Sequence, residues 1–507
     1  MAPGTPARST FSTGALAALL AAVVMLVLAA LFGVPVAPQL VADRLTALVP
    51  VGVFSAVLAG LESAAKPLVF GGVVVGQVLL GGLLGVAAGR AVRRGISPLA
   101  IFAGLLVAAW VVLALVIAPA GGIGPVGATS TAGVGATAIG DAVEALVFAG
   151  VVTLGLTSTE GDPAVDPGRR RLLRLAAFGV PGALAAAYLA RFGVSLAQKS
   201  GVTPASHASG QLVSPITRTA DFYVVSKNFI DPTVSLNGWQ LSVSGKIDHP
   251  QTYQYDQLRA RPSVQRVTTL ECISNDVGGN YMSTGQWTGF ALRDLLAEVG
   301  LQPSASHLVL RAADDYSDSI PLVAAMHPYT MLVYDLNGAP LPNEHGYPLR
   351  LIVPGIFGMK NAKWLKSIEA INTDYSGYWQ QRGWSNVATV QTMSRIDVPT
   401  DSGSVTAGTA AMVGGVAFAG DRGISRVELS TDGGHTWGAA DIQPPPSSLT
   451  WVIWTRSWTP AKAGDYTLVV RAWDGKGTPQ DANDQDPLPD GATGLHRIGV
   501  SVKAASA

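Results

Sequence analysis

The sequence predicts a multi-domain chain with an N-terminal helical membrane region, a central α+β domain and a C-terminal all-β sandwich. Charged residues make up 13% of the chain but are sparse between Gly14 and Ala190. From Asp221 onward short strands alternate with occasional helices, and after Pro399 the helical period disappears. We therefore expect a membrane region at 1–192, a linker at 193–214, and domains at 215–395 and 396–507.

The N-terminal region is predicted to cross a membrane as about five helices. A transmembrane helix needs roughly 20 apolar residues, and five stretches meet or approach that length. Segment 43–66 contains four charged residues and is interpreted as an external amphipathic segment instead. The predicted spans are Gly14–Phe32, Pro67–Gly89, Leu99–Ala118, Ala136–Thr157 and Leu175–Ala190.

The basic residues predict an orientation through the positive-inside rule. Arg8 precedes the first span, a cluster at 90–94 follows the second, and a cluster at 169–174 lies between the fourth and fifth. With five spans all three lie on one face, so the amino terminus is expected in the cytoplasm and the later domains outside. Asp141 and Glu144 are interpreted as interfacial because they lie towards one end of the fourth span.

The fifth apolar stretch also resembles an export signal. Gly168–Arg174 reads Gly-Arg-Arg-Arg-Leu-Leu-Arg and precedes a short apolar run with Ala-rich flanks. The pattern is similar to a twin-arginine signal, a route that exports folded proteins. An ordinary positive-inside cluster explains the arginines equally well. Cleavage of the segment is left open.

Charge and histidine placement argue against two functions. The chain has 34 Lys+Arg and 34 Asp+Glu, so no basic surface indicates nucleic-acid binding. All seven histidines, from His207 to His496, lie beyond the last predicted span, which disfavours a membrane haem held by paired histidines. Cys272 is the only cysteine, which excludes an intramolecular disulfide. A lone cysteine is most often a small buried hydrophobe.

The two later domains show different periodicities. In the central domain, Trp239–Ile247 alternates like a strand, Ala291–Val299 has helical spacing, and Pro348–Pro354 reads as a strand that positions Arg350. After Pro399, strands separated by Gly, Pro and Asp turns are typical of a sandwich. These strands are predicted at Val413–Phe418, Arg426–Ser430, Trp451–Trp458 and Tyr466–Trp473.

Several segments together resemble the sulfite oxidase family of molybdopterin-dependent enzymes. Thr269–Asn275 (TLECISN) resembles the cysteine loop of that family. The most specific match is His345–Gly355 (HGYPLRLIVPG), which continues into Gly358–Leu365 (GMKNAKWL). Gly420–Gly434 is similar to the family's immunoglobulin-like dimerisation domain. The resemblance covers about residues 215–505, in the family's order.

The resemblance implies a cofactor, molybdenum with molybdopterin, and the residues that hold it. Cys272 is expected to be the metal ligand and a catalytic residue, since a thiolate suits a soft metal centre. Lys227 is the candidate catalytic cation beside the metal. Candidate cofactor contacts are Tyr223, Ser226, Asn228, Asp315, His345, Arg350, Lys360, Asn361 and Lys363.

The chain departs from the family's pattern on the substrate side. Where the family has an aromatic-Val-Arg-Asn-His segment, Phe222–Asn228 reads FYVVSKN, so Lys227 offers a point charge instead of a guanidinium fork. Val277 stands where the family has another arginine. The family's substrate-side tyrosine has no match around Arg382–Trp384. These departures leave the substrate open.

The leading prediction is a molybdenum oxidoreductase outside the membrane that transfers an oxygen atom to or from a small, sulfur-containing substrate. Expected partners are an exported cytochrome or a membrane redox protein, and a second copy of the chain through the C-terminal domain. Two alternatives are a sulfoxide-type reductase fed by a membrane partner and a non-enzymatic anchored scaffold.

Overall fold

The computed structural model describes residues 7–48, 65–157, 202–203, 205, 210–228 and 231–505, apart from residues 122, 129 and 131. The chain divides into two compact units, Met1–Gly201 with Ser226–Pro232, and Val202–Val225 with Thr233–Ala507. The fifth predicted span and the arginines of Gly168–Arg174 lie outside the described residues, so both stay predictions.

The first unit is helical where it is described. Its helices are α1 (Ala7–Phe32), α2 (Ala37–Leu48), α3 (Ala65–Arg93), α4 (Pro98–Val112) and α5 (Gly133–Thr157). The Ser97 side chain accepts from the amide of Ala100, and Pro98 occupies the first turn, so α4 begins with two favourable residues. A π-helical turn, Leu113–Ile117, extends α4 as far as Ala120.

Four segments of this unit are long and apolar enough to cross a membrane. They are Thr10–Ala29, Leu68–Arg93, Pro98–Ala120 and Gly133–Thr157, and they overlap the first four predicted spans. The segment predicted as amphipathic, 43–66, begins inside α2 and has its middle outside the described residues.

Helices α1 and α3 pack closely at glycines. A Cβ atom added to Gly81 would lie 2.5 Å from the Cβ of Ala18 and 2.8 Å from the carbonyl oxygen of Gly14. Gly85, one turn further along α3, is packed against Gly14 in the same way. Small residues at such positions let helix backbones approach each other where lipid provides no hydrophobic driving force.

The second unit begins with an α+β domain built on two five-stranded sheets. The strands of the first sheet are β5 (Val264–Glu271), β6 (Met282–Ala291), β9 (Met331–Leu336), β10 (Ala339–Pro340) and β11 (Arg350–Ile352). Its order is β10-β9-β6-β5, and β11 also pairs with β9. A short β1–β2 pair, Val202–Thr203 with Val224–Val225, precedes it.

The second sheet of this domain is mixed. Its strands are β3 (Gln240–Gly245), β4 (Gln251–Gln254), β7 (His307–Ala312), β8 (Ser317–Pro321) and β12 (Leu365–Ile371), in the order β4-β3-β12-β7-β8. Strand β12 runs parallel to β3 and antiparallel to β7. The domain also contains three helices, α6 (Tyr255–Arg259), α7 (Leu292–Val299) and α8 (Leu322–Ala325).

Helix α7 contributes its apolar face to the hydrophobic core of the central domain. Its four apolar residues, Leu292, Leu295, Leu296 and Val299, recur at helical spacing and are all buried. Gly300, with a φ of 70°, ends the helix in the left-handed conformation that glycine adopts without strain. The helix predicted over this segment is confirmed.

The C-terminal part of the unit is β-rich and has two sheets. The first has the order β13-β15-β19-β18, and the second β14-β21-β20-β16-β17. Side chains from both sheets, including Val413, Trp454, Leu468 and Ile498, form one buried cluster. The strands are β13 (Met393–Val398), β14 (Gly403–Thr406), β15 (Ala411–Phe418), β16 (Ile424–Ser430), β17 (Gly438–Ala439), β18 (Asp441–Ile442), β19 (Val452–Trp458), β20 (Gly464–Asp474) and β21 (Arg497–Lys503).

The glycine contact between α1 and α3 predicts a large effect for one added methyl group. Gly81→Ala should destabilise the helical unit by about 1–3 kcal/mol because the methyl group overlaps Ala18. Melting of the detergent-solubilised chain, followed by far-UV circular dichroism, measures the effect. Gly76→Ala on the same helix is the control, since a Cβ there meets no atom within 4 Å. Equal melting of the two variants would contradict this packing.

Candidate active site

Cys272 follows the last residue of β5, in the loop that leads to β6. Every residue of β5 pairs with a residue of β6. From the C-terminal region, the carbonyl of Leu449 accepts from the amide of Thr269 (3.0 Å), and the amide of Trp451 donates to the Thr269 hydroxyl (2.9 Å). The amide of Cys272 donates to the carbonyl of Tyr281 (2.9 Å). The strand and its cysteine are therefore held from two directions.

The thiol of Cys272 lies in a poorly solvated loop. It is buried, and its Sγ is 3.1 Å from the hydroxyl oxygen of Ser274. Burial raises the pKa of the thiol, with the hydrogen bond to Ser274 opposing this. A metal ion favours the thiolate and would reverse the effect of burial. The preceding residue, Glu271, is also buried, which raises its pKa to about 7 although Asn275 donates to its Oε1 (2.9 Å).

Arg350 brings a buried positive charge to the same part of the domain. Its guanidinium lies 5.4 Å from the ring centre of Trp287, and its Nη1 donates to the carbonyl of His345 (3.2 Å). Burial lowers the pKa of Arg350 to about 10, and Tyr223 opposes that shift. The buried Nε has no hydrogen-bond partner among the described residues. Because a buried unpaired N–H is costly, this atom indicates a place for an acceptor on a bound group.

His345 is held neutral beside Arg350. The residue is 2% exposed, and its ring packs edge-on against Phe222 with 5.3 Å between ring centres. Burial lowers the pKa of His345 to about 3, and the positive charges of Arg350 and Lys363 contribute. A neutral imidazole presents one donor and one acceptor, which suits hydrogen bonding to a heterocycle.

Three more of the predicted cofactor contacts, Tyr223, Lys363 and Asp315, differ in burial and in the groups they contact. Tyr223 is buried, which raises the pKa of its phenol, and the negative charge of Cys272 adds to the shift. Lys363 is partly exposed, donates to the carbonyl of Glu344 (2.9 Å) and lies 4.3 Å from the ring centre of Trp364. Asp315 is in an exposed turn with a φ of 61°. Tyr223 therefore lies near enough to Cys272 for the two groups to interact electrostatically.

Lys360 is fully buried and its charge is paired. Its Nζ donates to Asp318 (2.9 Å) and to the carbonyl of Ser319 (2.8 Å). The other carboxylate oxygen of Asp318 accepts from the hydroxyl of Tyr316 (2.9 Å). Burial raises the pKa of Tyr316 well above its usual range, and Asp318 and then Cys272 add smaller contributions. Tyr316 therefore belongs to the surroundings of the thiol.

Tyr316 and Asp318 are site residues that sequence reasoning missed. The available signal was a carboxylate at the second position of β8, a strand whose three central residues are buried. Such a residue needs a cationic partner. That partner, Lys360, lies 42 residues further along the chain, so spacing alone does not identify it.

The other predicted contacts serve local structure. The Oδ1 of Asn361 accepts from the amide of Val353 (2.6 Å), and its Nδ2 donates to the carbonyl of Phe357 (3.2 Å). Ser226, Lys227 and Asn228 are grouped with the helical unit, where Lys227 donates to the Asn228 side chain (2.9 Å). Direct cofactor binding by these residues and by Lys360 stays a prediction.

Comparisons with known proteins identify both parts of the second unit. The family described as "Oxidoreductase molybdopterin binding domain" matches residues 228–379, and "Mo-co oxidoreductase dimerisation domain" matches residues 384–484. Mitochondrial sulfite oxidase of Rattus norvegicus is 29% identical over 265 residues, which are 43% of this chain and 48% of that protein. The chain thus spans about half the length of this relative.

Two further proteins are similar to this chain, one in sequence and one in fold. The Bacillus subtilis protein named "Uncharacterized oxidoreductase YuiH" is 27% identical over 184 residues, 36% of this chain and 91% of that protein. The crystal structure of the sulfane dehydrogenase SoxCD from Paracoccus pantotrophus is similar in fold, with a TM-score of 0.50 and 21% identity. That match covers 60% of this chain and 86% of the other.

The fold and the site define a molybdopterin-dependent oxidoreductase. The residues present fit its cofactor, because a soft ligand (Cys272) and an unpaired buried guanidinium N–H (Arg350) occur in one domain. In these two domains the chain is similar to the sulfite oxidases, and the cofactor of such enzymes is molybdenum with molybdopterin.

The ion pair between Asp318 and Lys360 predicts a strong effect on stability. Asp318→Asn should lower the free energy of unfolding by about 3–5 kcal/mol, because it leaves a buried ammonium unpaired. Urea unfolding of the purified chain measures this. Glu369→Gln is the control, since it breaks the half-exposed pair with Arg311 and should cost less than about 1 kcal/mol. Similar losses of unfolding free energy in Asp318→Asn and Glu369→Gln would contradict the prediction that breaking the buried ion pair costs more than breaking the half-exposed one.

The buried His345 predicts acid-sensitive stability. The unfolded chain binds a proton at His345 near pH 6.5 and the folded chain only near pH 3, so acidification within that window favours unfolding. Within this window His345 should lower the free energy of unfolding by at most about 1.4 kcal/mol for each pH unit of acidification. Above the window it should add no pH dependence. His345→Gln should flatten the slope of unfolding free energy against pH, whereas replacement of the exposed His249 should not. An unchanged slope in His345→Gln would refute this.

Proposed function

We propose that the chain transfers an oxygen atom to or from a small sulfur-containing substrate at a molybdenum centre on the outer face of a membrane. The observation that supports this best is the buried Cys272 at the end of β5, in the domain that also buries Arg350, His345 and Tyr316. The cofactor supplies the metal at which such a transfer takes place. The protein supplies a ligand, fixed polar groups and exclusion of water.

Each residue has a distinct task in this proposal. Cys272 binds the metal as a thiolate, and its loop is kept in place by β5 and Tyr281. The free Nε of Arg350 donates to an anionic or carbonyl group of the cofactor. His345 stays neutral and donates or accepts one hydrogen bond. Lys363, at the edge of the site, adds positive charge for the cofactor phosphate.

The substrate is proposed to bind beside Tyr316. The ring of Tyr316 is 6.0 Å from that of Tyr378, and the guanidinium of Arg382 lies 3.6 Å from the centre of the Tyr378 ring. Arg382 therefore provides a cation for a small oxyanion such as sulfite. A sulfoxide-type reductase is the second candidate. It is favoured by the exposed Val277, which offers no charge where an anion-binding arginine was expected.

Location and partners are part of the same proposal. Four apolar helices support a multi-pass membrane protein, and the basic cluster at 90–94 supports a cytoplasmic amino terminus. An exported cytochrome or a membrane redox protein would exchange electrons with the metal. The match of residues 384–484 to a dimerisation domain supports a homodimer. Because residues 228–379 match an oxidoreductase domain, the scaffold alternative is not retained.

Replacing Cys272 tests the proposed function. Cys272→Ser should lose turnover by more than the ~10–100-fold typical of residues behind a metal ligand. Turnover is measured with sulfite and an artificial electron acceptor, and with sulfoxides and a reduced dye, alongside the molybdenum content. Ser274→Ala, which changes only the neighbour of the thiol, should keep most activity. Full turnover in Cys272→Ser, or absence of molybdenum from wild type made with cofactor supply, would overturn the proposal.

A further inference from the structure

Two carboxyl groups lie near the middle of α5, one of the candidate membrane spans. Asp141 and Glu144 are 9% and 6% exposed. Glu144 is the twelfth residue of the 25 in Gly133–Thr157. At 1.5 Å per residue it lies roughly 17 Å from the start of the helix, about half of a bilayer core. This depth differs from the interfacial position expected from the sequence.

Apolar side chains pack beside this position on α5. One turn after Glu144, the ring of Phe148 lies 3.4 Å from the Cβ position of Gly81. One turn before, Gly140 packs against the side chain of Val34. The buried parts of α1 and α4 that pack in the Phe148 cluster are apolar, among them Ala18, Ala21 and Ile101. On the C-terminal side the carboxyl groups are therefore covered by an apolar layer. On the N-terminal side the next residue on the same face is the buried Thr137, whose hydroxyl lies 2.9 Å from that of Ser130.

The polar contacts of the two carboxyl groups are few. The Nε2 of Gln77, the thirteenth residue of α3, donates to the Oε1 of Glu144 (3.3 Å). The buried Oδ2 of Asp141 has no hydrogen-bond partner among the described residues. The nearby Thr137 donates to the carbonyl of Gly133. In the described part of the chain, no Lys, Arg or His forms an ion pair with either carboxylate.

Two negative charges are unfavourable in this setting. Residues three apart lie on the same face of a helix, so the two carboxylates repel each other. An apolar interior without a cation disfavours even one of them. Uptake of one proton removes one charge and gives the acid an O–H that can donate to the remaining carboxylate or to the Gln77 carbonyl. The geometry thus favours a shared proton.

We propose that Asp141, Glu144 and Gln77 form an intramembrane proton-binding site, with the proton held on Glu144. The proposal rests on the proposed membrane location and goes beyond the molybdenum chemistry of the other unit. A proton is favoured over a metal ion because two carboxylates and one amide are too few ligands for a desolvated hard cation. Among the described residues, no group of three or more His, Cys, Asp or Glu side chains could hold a metal ion.

Carbodiimide labelling tests the site without relying on turnover. Dicyclohexylcarbodiimide reacts with protonated carboxyl groups in apolar surroundings. The full chain with its cofactor, in detergent, is treated at several pH values, and modified peptides are identified by mass spectrometry. Glu144 should be labelled, and the yield should rise several-fold as the pH is lowered. The exposed Glu344 in the same molecule is the internal control and should stay unlabelled.

Variants separate a proton site from simple burial. Glu144→Gln should abolish the adduct, and Asp141→Asn should reduce labelling of Glu144 at neutral pH several-fold, because the neighbouring negative charge is gone. Absence of label on Glu144 in the wild-type chain, or equal label on Glu344, would overturn the proposal. Protection of Glu144 by sodium but not by choline would replace the proton with a metal cation and overturn it as well.

The membrane location has its own test. Extraction of membranes with alkaline carbonate should leave the chain in the pellet, whatever the state of Glu144. Release into the supernatant would overturn the location, whereas failure of labelling in a chain that stays in the pellet would overturn only the proton site. Molybdenum content and turnover report on the other unit and are expected to be normal in Glu144→Gln.

Discussion

The position of Cys272 depends on β5, a strand held by two domains. Its central-domain partner is β6. From the β-rich region, the hydroxyl of Ser447 donates to the carbonyl of Val267 (2.6 Å), in addition to the bonds at Thr269. Arg395 of the same region donates to the carbonyl of Gly279 (2.7 Å), in the loop after the cysteine. A shift of β5 would break both sets of bonds, so the C-terminal region is part of the support of the site.

The second constraint is the cost of burying charge around that cysteine, and the domain meets it in two ways. Lys360 is paired with Asp318, so a full ion pair is buried with both partners satisfied. His345 stays neutral, which avoids a further charge beside Arg350. Arg350 is the exception, because its Nε lacks a partner among the described residues. The Oε2 of Glu271, the residue before Cys272, is a second buried atom without a partner among the described residues. Unpaired buried atoms of this kind are expected where a bound group completes the hydrogen bonds.

The sequence predicted what depends on local pattern or on a continuous motif. Helix α7 follows from the spacing of its leucines, and the match of residues 228–379 to a molybdopterin-binding domain was predicted from motifs such as the loop around Cys272. The role of Cys272 itself stays a prediction. The pairing of Asp318 with Lys360 could not be predicted in this way, because it depends on how β8 packs against a distant loop. The predicted roles of Lys360 and Asn361 came from a motif that gives residue types but not contacts. Glu144 lies further from the start of α5 than was predicted, because the helix begins three residues earlier than expected.

Burying a charged carboxylate is unfavourable in both units, and the two units differ in how the buried carboxyl groups are compensated. In the α+β domain a buried carboxylate, that of Asp318, has a cation at 2.9 Å, so it can stay charged. Within the described part of the helical unit, the hydrogen-bond donor to the buried Glu144 is an amide at 3.3 Å, and the neighbouring Asp141 has a buried oxygen without a partner. A carboxylate with a cation is a structural element whose charge is fixed. A carboxyl pair without one changes its charge by binding a proton, which makes it suited to function rather than to stability.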